Sequence, residues 1–333
     1  MNLTVFGAGG VGGQVAARLA LAGIPVNLIA RGPHLDAIRQ GGLRLQVRDE
    51  IRPAMVNATD NPRDIGVQDV VVISVKRTSL TGVRDTLMSL IGEDTRVVFI
   101  MNGLPWWFDE AALSASDRLR HYLDPGNEMA HVAPIHHQIW GVITSGGAIV
   151  APGVVRSTTP ETNIIRLGYA DDRKDDRILA LSQVLLGAGY DAAVADAIRT
   201  EVWRKILVNA GQAVVATVTN RNHRQVTSDE DTRLLIMNII SELIALGHEF
   251  GIEINADPVK MTDPQKYGEH VPSLLQDLRR GRPLEIDSTI LAVRELARLR
   301  NIVVPHLEAA AAIVSAMSKD ICLVRSDEDS PRV

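Results

Sequence analysis

The chain has 333 residues, 46% hydrophobic and 23% charged, with 35 basic against 40 acidic side chains and a net charge of −5. That length predicts two domains around a large core, the composition excludes a disordered or fibrous chain, and the lack of any basic run argues against a nucleic-acid partner. Cys322 is the single cysteine, which excludes an internal disulfide and points to a reducing, cytoplasmic setting, and no window approaches the ~18 to 20 consecutive apolar residues of a membrane span.

The first element is an apolar strand, Asn2 to Phe6, followed by Gly7-Ala8-Gly9-Gly10-Val11-Gly12 and a helical stretch to about Ala22. It is short, glycine-rich and without a basic leader, so it reads as strand and turn rather than signal peptide. A Gly-x-Gly-x-x-Gly alone is weak evidence, but between strand and helix it reads as a dinucleotide pocket. Gly7 permits the turn, Gly9 admits the pyrophosphate, Gly12 lets helix and strand pack closely, and the helix N-terminus faces the phosphates.

Strands then alternate with helices. Pro25 to Ala30, Asp69 to Val75 and Arg96 to Met101 read as buried strands of a parallel sheet, the rhythm of a doubly wound α/β domain. Leu43 to Val47 and Ile51 to Ala58 form a hairpin about Arg48 to Glu50. Ile139 to Val150, Gly153 to Thr158 and Asn163 to Leu167 are β-rich, and a helix from Asp175 to Leu186 with a strand from Asp191 to Val194 closes this half. After Asp196 only helices follow: Ala197 to Val218, Ser228 to Phe250, Pro272 to Arg280, Glu285 to Arg300, and a last one from Pro305 to about Lys319. The expected division is residues 1–195, residues 196–325 and a polar tail over 326–333.

Three positions refine the pocket. The second strand ends Ile29-Ala30-Arg31, with no acidic residue for ribose hydroxyls, so Arg31 can take a 2′-phosphate and NADPH/NADP+ is expected over NAD(H). Lys76 and Asn102-Gly103 follow the third and fourth strands, at the carboxyl edge where ligands of open α/β sheets bind. A turn-forming Asn-Gly also has a purely structural explanation.

The second half carries Glu201-Val-Trp203-Arg-Lys205-Ile-Leu-Val-Asn209, Ser273-Leu-Leu-Gln276-Asp277 and Glu285-Ile286-Asp287. With the glycine motif, Arg31, Lys76 and Asn102-Gly103, this order resembles the ketopantoate reductase (2-dehydropantoate 2-reductase) family over nearly the whole chain. The resemblance implies a Rossmann domain followed by an all-helical domain of the 6-phosphogluconate dehydrogenase C-terminal type, with an active site in the cleft between them. It implies NADPH-dependent reduction of a branched 2-oxo acid on the way to pantothenate. Carried over by position, Lys205 is the proton donor, Asn209 and Ser273 contact substrate, Glu285 is an acid near cofactor and substrate, Asn102 touches both ligands, and Ala148 lines the nicotinamide side through its backbone.

The residue chemistry agrees. Hydride delivery to a ketone leaves charge on oxygen, which a lysine can polarise and protonate. Lys205 and Asn209 lie four apart and share a helical face. Ser273 can donate to a carboxylate, and Glu285 can hold the lysine charged. Each position also has a plainer reading: Lys205 paired with Glu201, Glu285 as a helix-start charge, Ser273 as a cap after Pro272.

Some positions depart from the family pattern. Ala213 stands where the family has a second asparagine, His223 where it has a later one, with Asn220 and Asn222 nearby, and Ile290-Leu291 replace an Asn-Gly. Lost polar contacts shift substrate choice while sparing hydride chemistry, so a different, more apolar 2-oxo acid is the first alternative. A non-catalytic NADP(H) sensor is the second. His121, His131, His136 and His137 lack ligand spacing, so no metal is expected. Trp106-Trp107-Phe108 reads as packing. The apolar helical half is compatible with a homodimer.

Overall fold

The computed structural model describes residues 1–80 and 83–328. They divide into two compact units: Met1–Met101 with Asp124–Glu201, and Asn102–Leu123 with the chain from Val202 onward.

The first unit holds twelve strands among the described residues: β1 (Leu3–Phe6), β2 (Val26–Ile29), β3 (Leu43–Val47), β4 (Glu50–Ala54), β5 (Asn57–Thr59), β6 (Val70–Ile73), β7 (Arg96–Phe99), β8 (Gln138–Thr144), β9 (Gly147–Ala151), β10 (Val154–Ser157), β11 (Ile164–Gly168) and β12 (Asp191–Val194). Eight form one sheet in the order β12-β11-β8-β7-β6-β1-β2-β5, parallel at every step except β8 to β11. The other four form a smaller sheet, β4-β3-β10-β9. β1 and β6 are buried along their whole length; β6 is apolar throughout, as a central strand of a parallel sheet should be, and the one polar residue of β1, Thr4, donates to Gln68 Oε1 at 3.0 Å. Helix Gly10–Leu21 seals one face through Val15, Ala16 and Leu19.

Two strand expectations change. The stretch Ile51 to Ala58 is not one strand: β4 ends at Ala54, and β5 crosses to the large sheet to pair with β2. Ile139 to Val150 breaks at Ser145-Gly146, where Gly146 donates its N–H to Thr159 Oγ1 (2.6 Å) and accepts from Thr158 N–H (2.9 Å), taking both groups out of the large sheet.

After Asp196 the long helical patterns are interrupted. Ala197 to Val218 resolves into Ile198–Ile206, a π-helical segment Leu207–Ala213, and Val214–Val218. Glu285 to Arg300 resolves into a π segment Asp287–Leu291 and Ala292–Leu299. Ser228 ends the helix His223–Ser228 instead of opening the next. Asp229 is extended and caps Glu230–His248 by accepting from Thr232 N–H at 3.0 Å. That helix buries Ile236, Ile239, Ile240, Leu243 and Leu246 on one stripe and packs against Leu207–Ala213. The last helix starts at Pro305 and continues past Lys319 to Glu328, so Ser326 to Glu328 belong to it, and 329–333 of the expected tail lie outside the described residues. Its first turn is capped from a distance: Glu242 accepts from the amides of His306 and Leu307, both at 3.0 Å.

Residues 102–123, placed with the first half from sequence, group with the second unit. Leu104 N–H donates to Ser288 O (2.8 Å), Ser116 Oγ to the buried Glu295 carboxylate (2.7 Å), and Arg300 to Asp109 (3.1 Å). Phe108 stacks on Trp203 at 5.5 Å and meets Phe250 edge-on at 5.9 Å. The aromatic run is therefore packing at Phe108, and Trp203 is buried, its indole N–H bonded to Leu243 O.

Candidate functional site

In the first unit, β2, β1 and β6 run parallel side by side and end on one edge, which carries Arg31, the glycine loop and Lys76. Gly7 has φ +110°, a conformation that disfavours any side chain, and Ser74 Oγ donates to its carbonyl at 3.0 Å. A Cβ on Gly12 would overlap that same carbonyl and Ser74 Oγ, so helix and strand meet only because both residues are bare. Gly9 differs: nothing lies within 4 Å of where its Cβ would be. The helix starting at Gly10 has no side-chain cap and no acidic residue in its first turn, so its amides and dipole are left for an anion. Ala8 and Val11 flank these glycines. The loop fits a dinucleotide diphosphate.

Gly10 has another function. Its backbone lies against Gly147 and Ala148 on β9, leaving no room for a side chain. This brings the backbone of Ala148 to the glycine loop. Arg31 is exposed, in extended conformation at the head of helix Gly32–Gly41, with no bonded partner among the described residues. Lys76 is part-buried at the start of the turn Arg77–Ser79.

The second unit contains a small cleft, partly open to solvent, lined by Asn102, Asn209, Ala213, Ser273, Leu274, Asp277, Glu285 and Thr289. Four of the five residues expected to meet substrate or proton thus converge from four separated stretches of chain. The fifth, Lys205, is tied to them electrostatically: burial pulls its ammonium down from 10.5 to about 8, against the opposing pull of the Glu285 carboxylate. The residue as a whole is part-buried.

Local structure explains the convergence. Asn102 is fixed through its backbone, because Ser288 Oγ donates to its carbonyl (3.3 Å) and Gly103, at φ +89°, packs so closely on Ser288 that a Cβ would overlap it. Asn209 and Ala213 lie in the first π segment and Thr289 in the second. The i→i+5 turn of a π segment is wider than an α turn, so residues four apart drift less around the axis, and such segments recur at functional sites. Ser273 is the first residue of its helix, and the N-cap position is held by Pro272, which makes no side-chain cap bond. Thr289 turns its hydroxyl back onto Glu285 O at 2.9 Å.

Sequence reading did not single out Leu274, Asp277 or Thr289 as lining residues. Asp277 and Thr289 each lie four after an expected residue, Ser273 and Glu285, and that spacing was the available signal. His223 and its neighbours are not cleft residues. His223 is buried and stacked on Tyr267 (5.6 Å) and His270 (5.9 Å), with burial and the neighbouring His270 lowering its pKa to about 4. Asn222 is spent on a capping box with Gln225, and Asn220 accepts from Arg279 at 2.8 Å. Among the described residues no helix is long and apolar enough to cross a membrane.

Two family models match this chain: ketopantoate reductase PanE/ApbA over residues 3–171, and the C-terminal part of ketopantoate reductase PanE/ApbA over residues 197–318. The 2-dehydropantoate 2-reductase of Mesorhizobium japonicum is 35% identical over 322 residues, 96% of this chain and 98% of that one. A structure from Ralstonia solanacearum MolK2, provisionally assigned as a ketopantoate reductase, superposes with a TM-score of 0.84 at 28% identity over 96% of this chain and 98% of its own. D-Mandelate dehydrogenase, solved with NADH and anilino(oxo)acetate, shares the fold at a TM-score of 0.81 and 21% identity, over 96% and 99% of the two chains. The chain belongs to the ketopantoate reductase PanE/ApbA family, and with it to the oxidoreductases that act on CH–OH groups.

Proposed function

We propose that the protein reduces 2-dehydropantoate to pantoate with NADPH, the reductive step towards pantothenate, and that Lys205 is the proton donor. The observation that carries this reading is the cleft of Asn102, Asn209, Ser273 and Glu285 together with a lysine brought to about 8 by burial. A reduced nicotinamide, when bound, supplies the hydride. The chain's own residues do the rest. Lys205 Nζ gives its proton to the carbonyl oxygen as negative charge develops there, a task suited to an acid with a pKa near the working pH. Glu285 favours the charged lysine and accepts from a substrate hydroxyl. The Asn102 and Asn209 amides and the Ser273 hydroxyl donate to substrate oxygens. Gly7 to Gly12 hold the diphosphate, Arg31 takes the 2′-phosphate with its planar fork, and Lys76 and the Ala148 backbone border the cofactor.

A second reading, a more apolar 2-oxo acid, is favoured by Ala213 and Leu274, which give the cleft a hydrocarbon wall. The test is NADPH oxidation with ketopantoate and a panel of 2-oxo acids. Highest kcat/KM on ketopantoate supports the first reading, and a preference for substrates lacking its hydroxyl moves the assignment to the second. Tight NADPH binding without turnover of any panel member would contradict both.

A further inference from the structure

The β9–β10 hairpin is held at both ends. One end leans on the glycine loop through the Gly10–Gly147 contact. At the other, the turn residue Gly153 (φ +73°) lies against Ala37, 3.0 Å from where a Cβ would stand, and donates its N–H to His34 Nδ1 at 3.0 Å. Both Ala37 and His34 are on helix Gly32–Gly41, directly after Arg31.

Accepting that bond fixes the tautomer. Nδ1 must be bare, so the ring hydrogen of the neutral imidazole is on Nε2. Nε2 is sealed from solvent and makes no well-formed hydrogen bond, the Ala8 backbone being near enough to act on the ring but not in good bonding geometry. Burial holds the ring below its ordinary pKa, with the Ala8 backbone of the glycine loop pulling the other way, so the neutral form that the Gly153 bond requires is favoured. His34 thus stands where the glycine loop, the helix behind Arg31 and the hairpin turn meet.

We propose that His34 is a positioning residue for the cofactor: it latches the turn of the β9–β10 hairpin and keeps Gly147 and Ala148 seated against the glycine loop. The inference rests on that loop holding a nicotinamide dinucleotide. Its chemistry is an acceptor at one place, which an asparagine Oδ1 can replace and a leucine cannot.

The experiment is a fluorescence titration of the full chain with NADPH, comparing the wild type, His34→Leu and His34→Asn. His34→Leu should weaken NADPH binding by about fivefold or more, the scale of one lost neutral hydrogen bond. His34→Asn should recover most of the loss, and the change in cofactor Kd should exceed any change in the KM of the 2-oxo acid. In the wild type, hydrogen exchange at the Gly153 amide should slow when NADPH is added, a measurement that stands even if His34→Leu does not fold. A folded His34→Leu protein that binds NADPH like the wild type, or an unaltered Gly153 exchange rate, overturns the proposal. A wild type that binds neither NADPH nor NADH overturns it together with the dinucleotide reading, whereas normal binding unaffected by His34→Leu leaves that reading standing.

Discussion

Replacing Glu285 by glutamine tests how the lysine is kept charged. Burial alone drives Lys205 below about 8, and the Glu285 carboxylate is the force restoring it. Removing a close opposite charge shifts a pKa by about 1 to 3, so in Glu285→Gln the amine should titrate at roughly 5 to 7. A proton donor works only as the ammonium. Reduction therefore proceeds below the lysine pKa and is lost as pH rises through it. In the wild type, kcat/KM should fall with a break near 8, and in Glu285→Gln the break should move down by at least about one. At pH 8 the charged fraction would drop from about one half to about one tenth or less, a loss of about fivefold from titration alone. The assay is the pH profile of kcat/KM for NADPH-dependent reduction. A variant whose break stays near 8, with activity lowered equally at every pH, would refute the coupling.

Further outcomes follow from the same geometry. Lys205→Met should raise stability at pH 7: the fall from 10.5 to about 8 corresponds to roughly 3 kcal/mol as an upper figure, discounted to ~1 to 2 kcal/mol for a part-exposed residue. Because the folded pKa lies below the unfolded one, wild-type stability should climb between pH 8 and 10.5 and the variant's should lack that climb; urea denaturation reads both. Arg31→Ala should cut the preference for NADPH over NADH by about tenfold or more, the value of a charged hydrogen bond, as seen in the ratio of kcat/KM for the two cofactors. Gly12→Ala should abolish dinucleotide binding or folding, since its methyl would overlap Gly7 O and Ser74 Oγ; calorimetric binding at wild-type affinity would show that the loop has slack the structure lacks.

Much of this was readable in the chain itself, and the reasons are local. Gly7 to Gly12 lie between a buried strand and a helix, and β1, β2, β6 and β7 are short, mainly apolar runs, interrupted by Thr4, Asn27 and Arg96, whose burial follows from composition. Asn209, Ser273 and Glu285 stood out by their order, and the structure brings them into one cleft with Asn102. What escaped depends on distant partners. Residues 102–123 join the second unit because Ser288, Trp203, Glu295 and Arg300 receive them, and nothing within the segment names those partners. The π segments at 207–213 and 287–291 differ from α-helix by one hydrogen-bond register, to which apolar periodicity is blind. Arg48 to Glu50 did mark a turn, but no local signal shows that the chain after Ala54 changes sheets.

The most direct test is single-turnover kinetics of Lys205→Met with saturating NADPH and 2-oxo acid, which isolates the chemical step from binding and release. A rate reduced by at least ~10²-fold, with NADPH affinity retained, is what a positioned proton donor requires. Chemistry at close to the wild-type rate would remove Lys205 from the mechanism and contradict the account.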